Sequence, residues 1–536
     1  MASPIQQPYE ATLPDPVSEW KLSGRKLVRP LRGAELLVRS SEHYCDGNFQ
    51  LTAKSSIETP LTNAQLRRRH HAAWYRTRLI HPVIGVEFPT LSHASYALHH
   101  TAKDVEHWTS QTCIVETNTT INDVYLARSR EKTSRISMTL VLDPVRGPRG
   151  CVLDMSHTLI SVDIFLIMQE FIAQLARPDT EAGIAAVFSP QSESMHAIMP
   201  RLPQSLGHAY SHCHTGSLSH RQPSARDLQD ALEMYQHAQS RWSRSSIGIP
   251  LHPNHTNRPR AIQNKTIAFE PAESKAAFKF LKQAGVSLTA AFFASMTAAI
   301  AQRYHYHAPA PAGSVASAPR NEELELEPEG AHLLFSAHGR RWLDTSAANG
   351  HGPVTMPIIP SSAWVSAKDV NLRPRSQRGL LKLAAAIEEA QREDLVSPHI
   401  IPVFDQLAPE LVTALANAHA LPNGPPPPPS RGRPTLTSQG QFLNARDRDR
   451  ARRTMCTGDD ADAIDMTDFN TGGRTTDPTV CFALNSFRDE LKFNLLFDEK
   501  FFDLTEVMLL GYEVAGMFRR LVGVGMEQEQ SVRAKL

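Results

Sequence analysis

The sequence predicts a mixed α/β (α+β) protein built on more than one hydrophobic core. Three observations carry that prediction. At 536 residues the chain exceeds what a single core accommodates. Residues 135–172 read as strand, turn, strand, polar loop and helix in succession, and the C-terminal hundred residues read as a hairpin followed by a helix. Composition is globular, at 41% hydrophobic, 21% charged and 7% aromatic, so disorder is not the general state.

Taken in order, residues 1–19 read as a lead without pattern, and the segment from Trp20 to Val38 as a first strand and turn. From Pro60 a helix is expected, capped by Thr62 or Asn63, with Leu66, Ala73, Trp74 and Leu79 inward and Pro82 as its stop. Arg67, Arg68 and Arg69 belong to its solvated face, and Val83–Phe88 reads as a strand. Asp227–Trp242 reads as a helix, followed by a Pro- and Asn-rich linker to about Gln263. A strand and two helices come next, the second beginning near Ser287 or Thr289 and buried nearly all round.

After an acidic, Pro/Ala-rich insert (308–330), AHLLFSAHGRRWL reads as a strand entering a turn at Arg340 and Arg341. Residues 374–394 are helical, and PNGPPPPPSRGRP is a stiff polyproline connector. The charged run RDRDRARR behind it reads as a solvated loop, with phosphate binding as the functional alternative. TVCFALNSF and ELKFNLLF alternate as two strands joined at Arg488–Asp489. Asp503 and Glu506 open the last helix as a capping box, with Val507, Val514, Met517 and Leu521 inward. Gly523–Gly525 (GVG) ends that helix and is not a dinucleotide fingerprint.

Charge and cysteine usage narrow the function classes. Lys plus Arg number 56 against 55 Asp plus Glu, and a net charge of +1 supplies no polyanion-binding field. Nucleic acid is therefore not an expected partner. The six cysteines (Cys45, Cys113, Cys151, Cys213, Cys456, Cys481) are scattered without CxxC or metal-site spacing and read as reduced, structural thiols. No secretory signal opens the sequence, and the longest apolar run, Val286–Ala301, is shorter than a membrane span. The expectation is a cytoplasmic protein with no membrane partner.

His208 and His212 stand at i, i+4, a metal-ligand spacing if the segment were helical. Pro203, Gly207 and Gly216, and the lack of a close acid, favour a solvated loop and no metal. No GxSxG elbow, Walker loop or HExxH helix is present.

The stretch with chemistry in it is CVLDMSHTLISVDIFLIMQEFI, from Cys151 to Ile172. It opens as a buried strand and closes as a helix with Phe165, Met168 and Ile172 at spacings of three and four. Between them stands His157, with Asp163 at the start of the helix. A histidine there is held firmly, reaches a cleft and titrates near neutral pH, as a general base requires. The plainer alternative is a turn histidine that bonds a carbonyl.

In order, these pieces resemble the chloramphenicol acetyltransferase-like superfamily, which includes plant BAHD acyltransferases and peptide-synthetase condensation domains. The branch it is most similar to is that of fungal trichothecene 15-O-acetyltransferase. The matching pieces are Trp20…Arg29-Pro30-Leu31…Gly33, LIHPVIGVEF, the strand–His157–helix unit, the buried helix from Val286, TLTSQGQFL around Ser438 and Gly440, and the final hairpin and helix. The signature of that family is HxxxD, usually followed by Gly. Here Ser161 stands four residues after His157 and Val162 takes the glycine place, with Asp154 and Asp163 as the nearby acids.

The resemblance implies two similar subdomains, each a mixed sheet flanked by helices, with the site in a tunnel between them. The implied boundaries are 20–240 for the first subdomain and 264–536 for the second, with a linker at 241–263 and a proline-rich loop at 420–435. It implies acetyl-CoA or another acyl-CoA as co-substrate, no bound cofactor, a small hydroxylated acceptor of terpenoid or polyketide type, and a monomer. His157 is the implied general base. Ser161 can hydrogen-bond but cannot form the ion pair of the family's aspartate, and Asp163 is placed as a helix N-cap. Ser438 or a backbone N–H near Gly440 is the implied oxyanion donor. The alternative is a condensation-like binding module that kept the fold with weakened or lost catalysis.

Overall fold

A computed structural model describes residues 19–133, 135–142, 147–158, 164–215, 223–305, 328–338, 342, 358–394, 397–421, 431–442 and 464–524. Ser161, Asp163, Arg340, Arg341, the run 446–453 and nearly all of the 308–330 insert lie outside these residues.

The first half contains β1 (Lys21–Ser23), β2 (Lys26–Pro30), α1 (Gly33–Tyr44), β3 (Leu51–Glu58), α2 (Asn63–Ile80), β4 (Val86–Glu87) and β5 (His93–Ala97). It continues with α3 (Ala102–Thr112), β6 (Cys113–Glu116), α4 (Ile121–Arg130), β7 (Ser137–Val141), β8 (Gly150–Met155) and α5 (Ile164–Leu175). Two single turns, α6 (Ile184–Val187) and α7 (Met195–Ile198), lead to α8 (Leu206–Thr215), α9 (Ala225–Ser240) and β9 (Ile249–Pro250).

The second half contains β10 (Ile262–Ala268), α10 (Pro271–Ala284), α11 (Leu288–Tyr304), β11 (Gly330–His338), β12 (Ile358–Ser366), α12 (Gln377–Asp394) and α13 (Ile400–Ala420). It closes with β13 (Arg431–Phe442), β14 (Asp465–Gly473), β15 (Thr479–Phe487), β16 (Glu490–Asp498) and α14 (Leu504–Val522).

Strands β1-β2-β5-β4 form a small sheet. A five-stranded sheet runs β14-β3-β8-β7-β6, and a seven-stranded sheet runs β10-β16-β15-β13-β11-β12 with β9 on β13. Strand β14 is donated by the second half: it pairs antiparallel with β3 from Asp465↔Glu58 to Gly473↔Leu51 and locks the halves together.

Helix α2 forms where its pattern predicts. Thr62 and Gln65 make a reciprocal capping box, and Leu66, Ala73 and Trp74 are fully buried. The histidine-bearing unit is also as expected: Cys151, Leu153 and Met155 of β8 pack with Ile164, Met168, Phe171 and Ile172 of α5 in one core. The second core joins Phe292 and Phe293 of α11 to Phe482 and Phe493 of the β15–β16 hairpin and to Val507, Val514 and Leu521 of α14. The hairpin turns at Arg488 and Asp489, both at positive φ (51° and 66°), the geometry a two-residue loop demands. Asp503 caps α14, accepting from the Thr505 and Glu506 amides, and Gly523 ends it in the left-handed conformation.

Six expectations are corrected. The strand from Trp20 stops at Pro30, and residues 33–44 are helix α1, because Glu35, Val38 and Glu42 find buried partners on that face. Residues 83–88 hold a 3-10 turn (Pro82–Gly85) and only two strand residues. Arg69 is buried, not solvated: it shares the Glu181 carboxylate with Arg68, at 3.0 and 2.6 Å.

The segment around His208 is helix α8, because Leu206, Ala209 and Tyr210 bury against α9 and α13. Gly207 fits inside it because a Cβ there would lie 1.6 Å from Asp405 Oδ2. Finally, Arg431–Pro434 are not connector but the start of β13, paired with β9 and β15. The linker stretch likewise sends Ile247 and Ile249 into the second core.

Candidate functional site

His157 follows directly on β8 and is half-buried. Strand β8 sits in the middle of its sheet, between β3 and β7, and every one of its residues is buried. Its alternation sends Leu153 and Met155 to the α5 side and Val152 to the α4 side, where it meets Ile121, Val124 and Tyr125. Asp154 shares the Val152 face. Burial pushes its carboxyl up to about 7, opposed by hydrogen bonds from Thr133 and Thr52, the latter at 3.3 Å.

The turn carrying His157 is held by a residue that motif reading passes over. Glu42, on the last turn of α1, is fully buried. Its Oε1 accepts from the His157 amide at 2.8 Å and from Ser156 Oγ at 2.8 Å. Its Oε2 accepts from Ser156 Oγ at 2.7 Å, from Thr158 Oγ1 at 3.3 Å and from Arg39 Nη1 at 3.3 Å. Burial raises the Glu42 pKa, opposed by the Ser156 hydrogen bonds and the Arg39 charge. The sequence cue was available: Arg39 and Glu42 are an i, i+3 pair of opposite charge. Without a predicted helix at 33–44 that spacing has no meaning.

The outer face of the seven-stranded sheet is largely polar. Leu491, Phe493, Leu495 and Phe497 of β16 point into the second core, so Lys492, Asn494, Leu496 and Asp498 point the other way. They are buried all the same, together with Asn264 of β10 and Asn485 of β15. Strand β14 covers part of this face: Asn494 Nδ2 donates to Asn470 Oδ1 (2.6 Å) and to the Thr471 carbonyl (2.7 Å), and the Gly473 amide donates to Asn264 Oδ1 (3.1 Å). A buried, hydrogen-bonded polar face where a sheet would ordinarily be apolar marks a lined interface between the halves.

Strand β13 enters this face with a break in register between Ser438 and Gly440. Ser438 is exposed and is registered against Leu484, a core residue, while Gly440 is registered against Asn485. Gln439, between them, accepts from Thr471 Oγ1 and from Asn485 Nδ2. The interface thus receives Gln439, which the sequence reading did not single out. The bulge leaves one residue, Gln439, outside the ladder.

His208 is buried in α8, its amide bonded to Ser205 Oγ at 3.2 Å; His220 and the side chains of His212 and His214 lie outside the described residues. No group of three or more metal-ligating side chains occurs among the described residues. No single described helix is long and apolar enough to cross a membrane, and α11 is buried in the second core.

No family model matches the chain. Among curated proteins it is 27% identical over 531 residues to the acyl-CoA-dependent acyltransferase MAC2 of Pseudozyma antarctica (strain T-34), covering 89% of this chain and 91% of that protein. The acyl-CoA-dependent acyltransferase MAC1 of the same organism is 23% identical, covering 74% of this chain and 75% of that protein. Among solved structures, TRI3 trichothecene 15-O-acetyltransferase from Fusarium sporotrichioides superposes with a TM-score of 0.70 at 15% identity, over 97% of this chain and all of that one. The epimerization domain of tyrocidine synthetase B superposes at 0.54 and 8% identity, over 92% and 96% of the two chains. The fold is therefore the chloramphenicol acetyltransferase-like one that the sequence resembles. The similarity to acyl-CoA-dependent acyltransferases bears out the acyltransferase reading.

Proposed function

We propose that this chain is an acyl-CoA-dependent O-acyltransferase, an O-acetyltransferase, acting on a hydroxyl of a terpenoid- or polyketide-type secondary metabolite with His157 as general base. The observation that carries the reading is the placement of His157. It stands at the end of a buried central strand, on a turn fixed by buried hydrogen bonds, in a fold shared over nearly its whole length with an acetyltransferase.

The half-buried imidazole takes the acceptor hydroxyl proton as the oxygen attacks the thioester carbonyl carbon. The C–O bond forms, and the carbonyl electrons move onto oxygen. The tetrahedral adduct then collapses and expels the CoA thiolate, which the imidazolium protonates. No acyl-enzyme is required. Ser438 or an amide near Gly440 donates to the developing oxyanion, and the register break in β13 supports the amide. Acyl-CoA and acceptor are small-molecule partners of a monomeric, cytoplasmic enzyme.

Ser161, in place of the family's aspartate, favours a second reading: a condensation-like module with weakened or lost catalysis. One experiment separates the two. Purified protein incubated with acetyl-CoA and a panel of hydroxylated terpenoids and polyketides releases free thiol in the first case. In the second it binds CoA and releases none with any acceptor.

A further inference from the structure

We infer that Glu42 is the positioning residue for the His157 turn, performing from α1 the loop-fixing task that Ser161 cannot perform by an ion pair. The inference rests on the acyltransferase reading and deepens it.

The contacts have a specific form. One carboxylate takes donors from three consecutive residues: Ser156 Oγ, the His157 amide and Thr158 Oγ1. Thr158 is tied further by its own amide, which donates to Ser156 Oγ at 3.2 Å. A bond to the His157 amide restrains the backbone from which the imidazole projects, without occupying either ring nitrogen. A carboxylate offers about four lone-pair sites, and with Arg39 four donors already converge on Glu42, the single Ser156 hydroxyl lying within reach of both oxygens. It has no capacity left for substrate, so it acts through His157 and is not a catalytic residue.

An anchor must itself be fixed, and α1 is tied at both ends. In its first turn Glu35 receives both guanidinium arms of Arg29 at 2.7 Å, a buried bidentate pair. At its last turn Tyr44 stacks on His419 of α13, with ring centroids 5.7 Å apart. Arg39 lies over the Phe88 ring at 4.6 Å, which sets the direction from which it reaches Glu42. Displacing a reacting group by about 1 Å costs on the order of 100-fold in rate, so the His157 turn needs this fixation.

Three variants test the inference: Glu42→Gln, which keeps the reach; Glu42→Asp, one methylene shorter; and Glu42→Ala, which removes every contact. Thiol release from acetyl-CoA is read as kcat and KM, and backbone hydrogen exchange is followed on the peptide spanning Ser156–Thr158. The expected order of kcat is wild type, Gln, Asp, Ala, with Ala down on the order of 100-fold and KM for acetyl-CoA within about threefold. Exchange accelerates at Ser156–Thr158 in Asp and Ala while peptides of β8 and α5 stay protected. Wild-type kcat in folded Glu42→Ala overturns the inference. So does an equal fall in all three variants with uniformly faster exchange across the first half. If the wild-type protein releases no thiol, the acyltransferase reading fails, and the exchange pattern alone decides whether Glu42 holds the turn.

Discussion

The two halves are held together by different physics. In the half that carries His157, charged side chains sit fully buried among the aromatic ones. Arg78 and Glu193, both buried, pair at 2.9 Å, and Arg29 pairs with Glu35 at 2.7 Å. Arg78 also stacks on Tyr96 and Trp108, at 4.4 and 4.8 Å, and donates to the Ala97 carbonyl at 2.6 Å. In the other half the centre is a phenylalanine cluster, Phe292, Phe482, Phe493 and Phe518, and arginines such as Arg303 work nearer the rim. Directional contacts fix orientation, which a base needs. Undirected packing supplies stability.

The difference can be broken most severely at Arg78. Arg78→Ala removes the ion-pair partner of the buried Glu193 and should cost about 3–5 kcal/mol in urea denaturation, while Arg78→Met with Glu193→Leu recovers more than half of that. Phe292→Ala in the other half should cost a similar or smaller amount, about 3–4 kcal/mol, but no second substitution at one neighbouring site restores it, because the loss is a cavity. If the Arg78/Glu193 double variant is no better than the single one, the first half is held by packing after all.

A smaller effect concerns pH. The Asp405 carboxylate lies between Gly33 and Gly207, its Oδ2 without a hydrogen bond among the described residues, and burial, then the Glu19 charge, pushes its pKa up to about 8. Asp154 is pushed up to about 7. Both pKa values are raised above the unfolded carboxylate range, so the folded state binds more protons between about pH 4 and 8. Stability should therefore fall as pH rises through that window. Asp405→Asn should flatten the fall between pH 5 and 8, measured by urea midpoints; an unchanged slope would place the titration elsewhere. The smallest effect is expected at the rim: Arg303→Ala loses its contacts to Glu506 and Glu513, both at 2.7 Å, for about 1 kcal/mol or less.

The same contrast explains what could be read from the sequence. Apolar periodicity announced α2, α11, α14 and the final hairpin, because packing of that kind is written in residue spacing. His157 was legible because a strand and a helix flank it. Glu42 was not, because SSEHYCDGN reads as a polar surface until α1 is seen and the partner residues are 114 to 116 positions away. Strand β14 escaped for a related reason. Its Asn470, Thr471 and Gly473 carry no apolar alternation, yet they are buried against the polar face of the second sheet. Buried polar interfaces have no period to detect, and the candidate site is built from them.

If His157 removes the acceptor proton, losing its imidazole must slow turnover. Steady-state thiol release by His157→Ala, measured beside wild type at saturating acetyl-CoA, tests it most directly. A general base contributes on the order of 100- to 10,000-fold, so kcat should fall by at least about 100-fold with an unchanged melting temperature. A folded His157→Ala protein turning over at the wild-type rate would contradict the account.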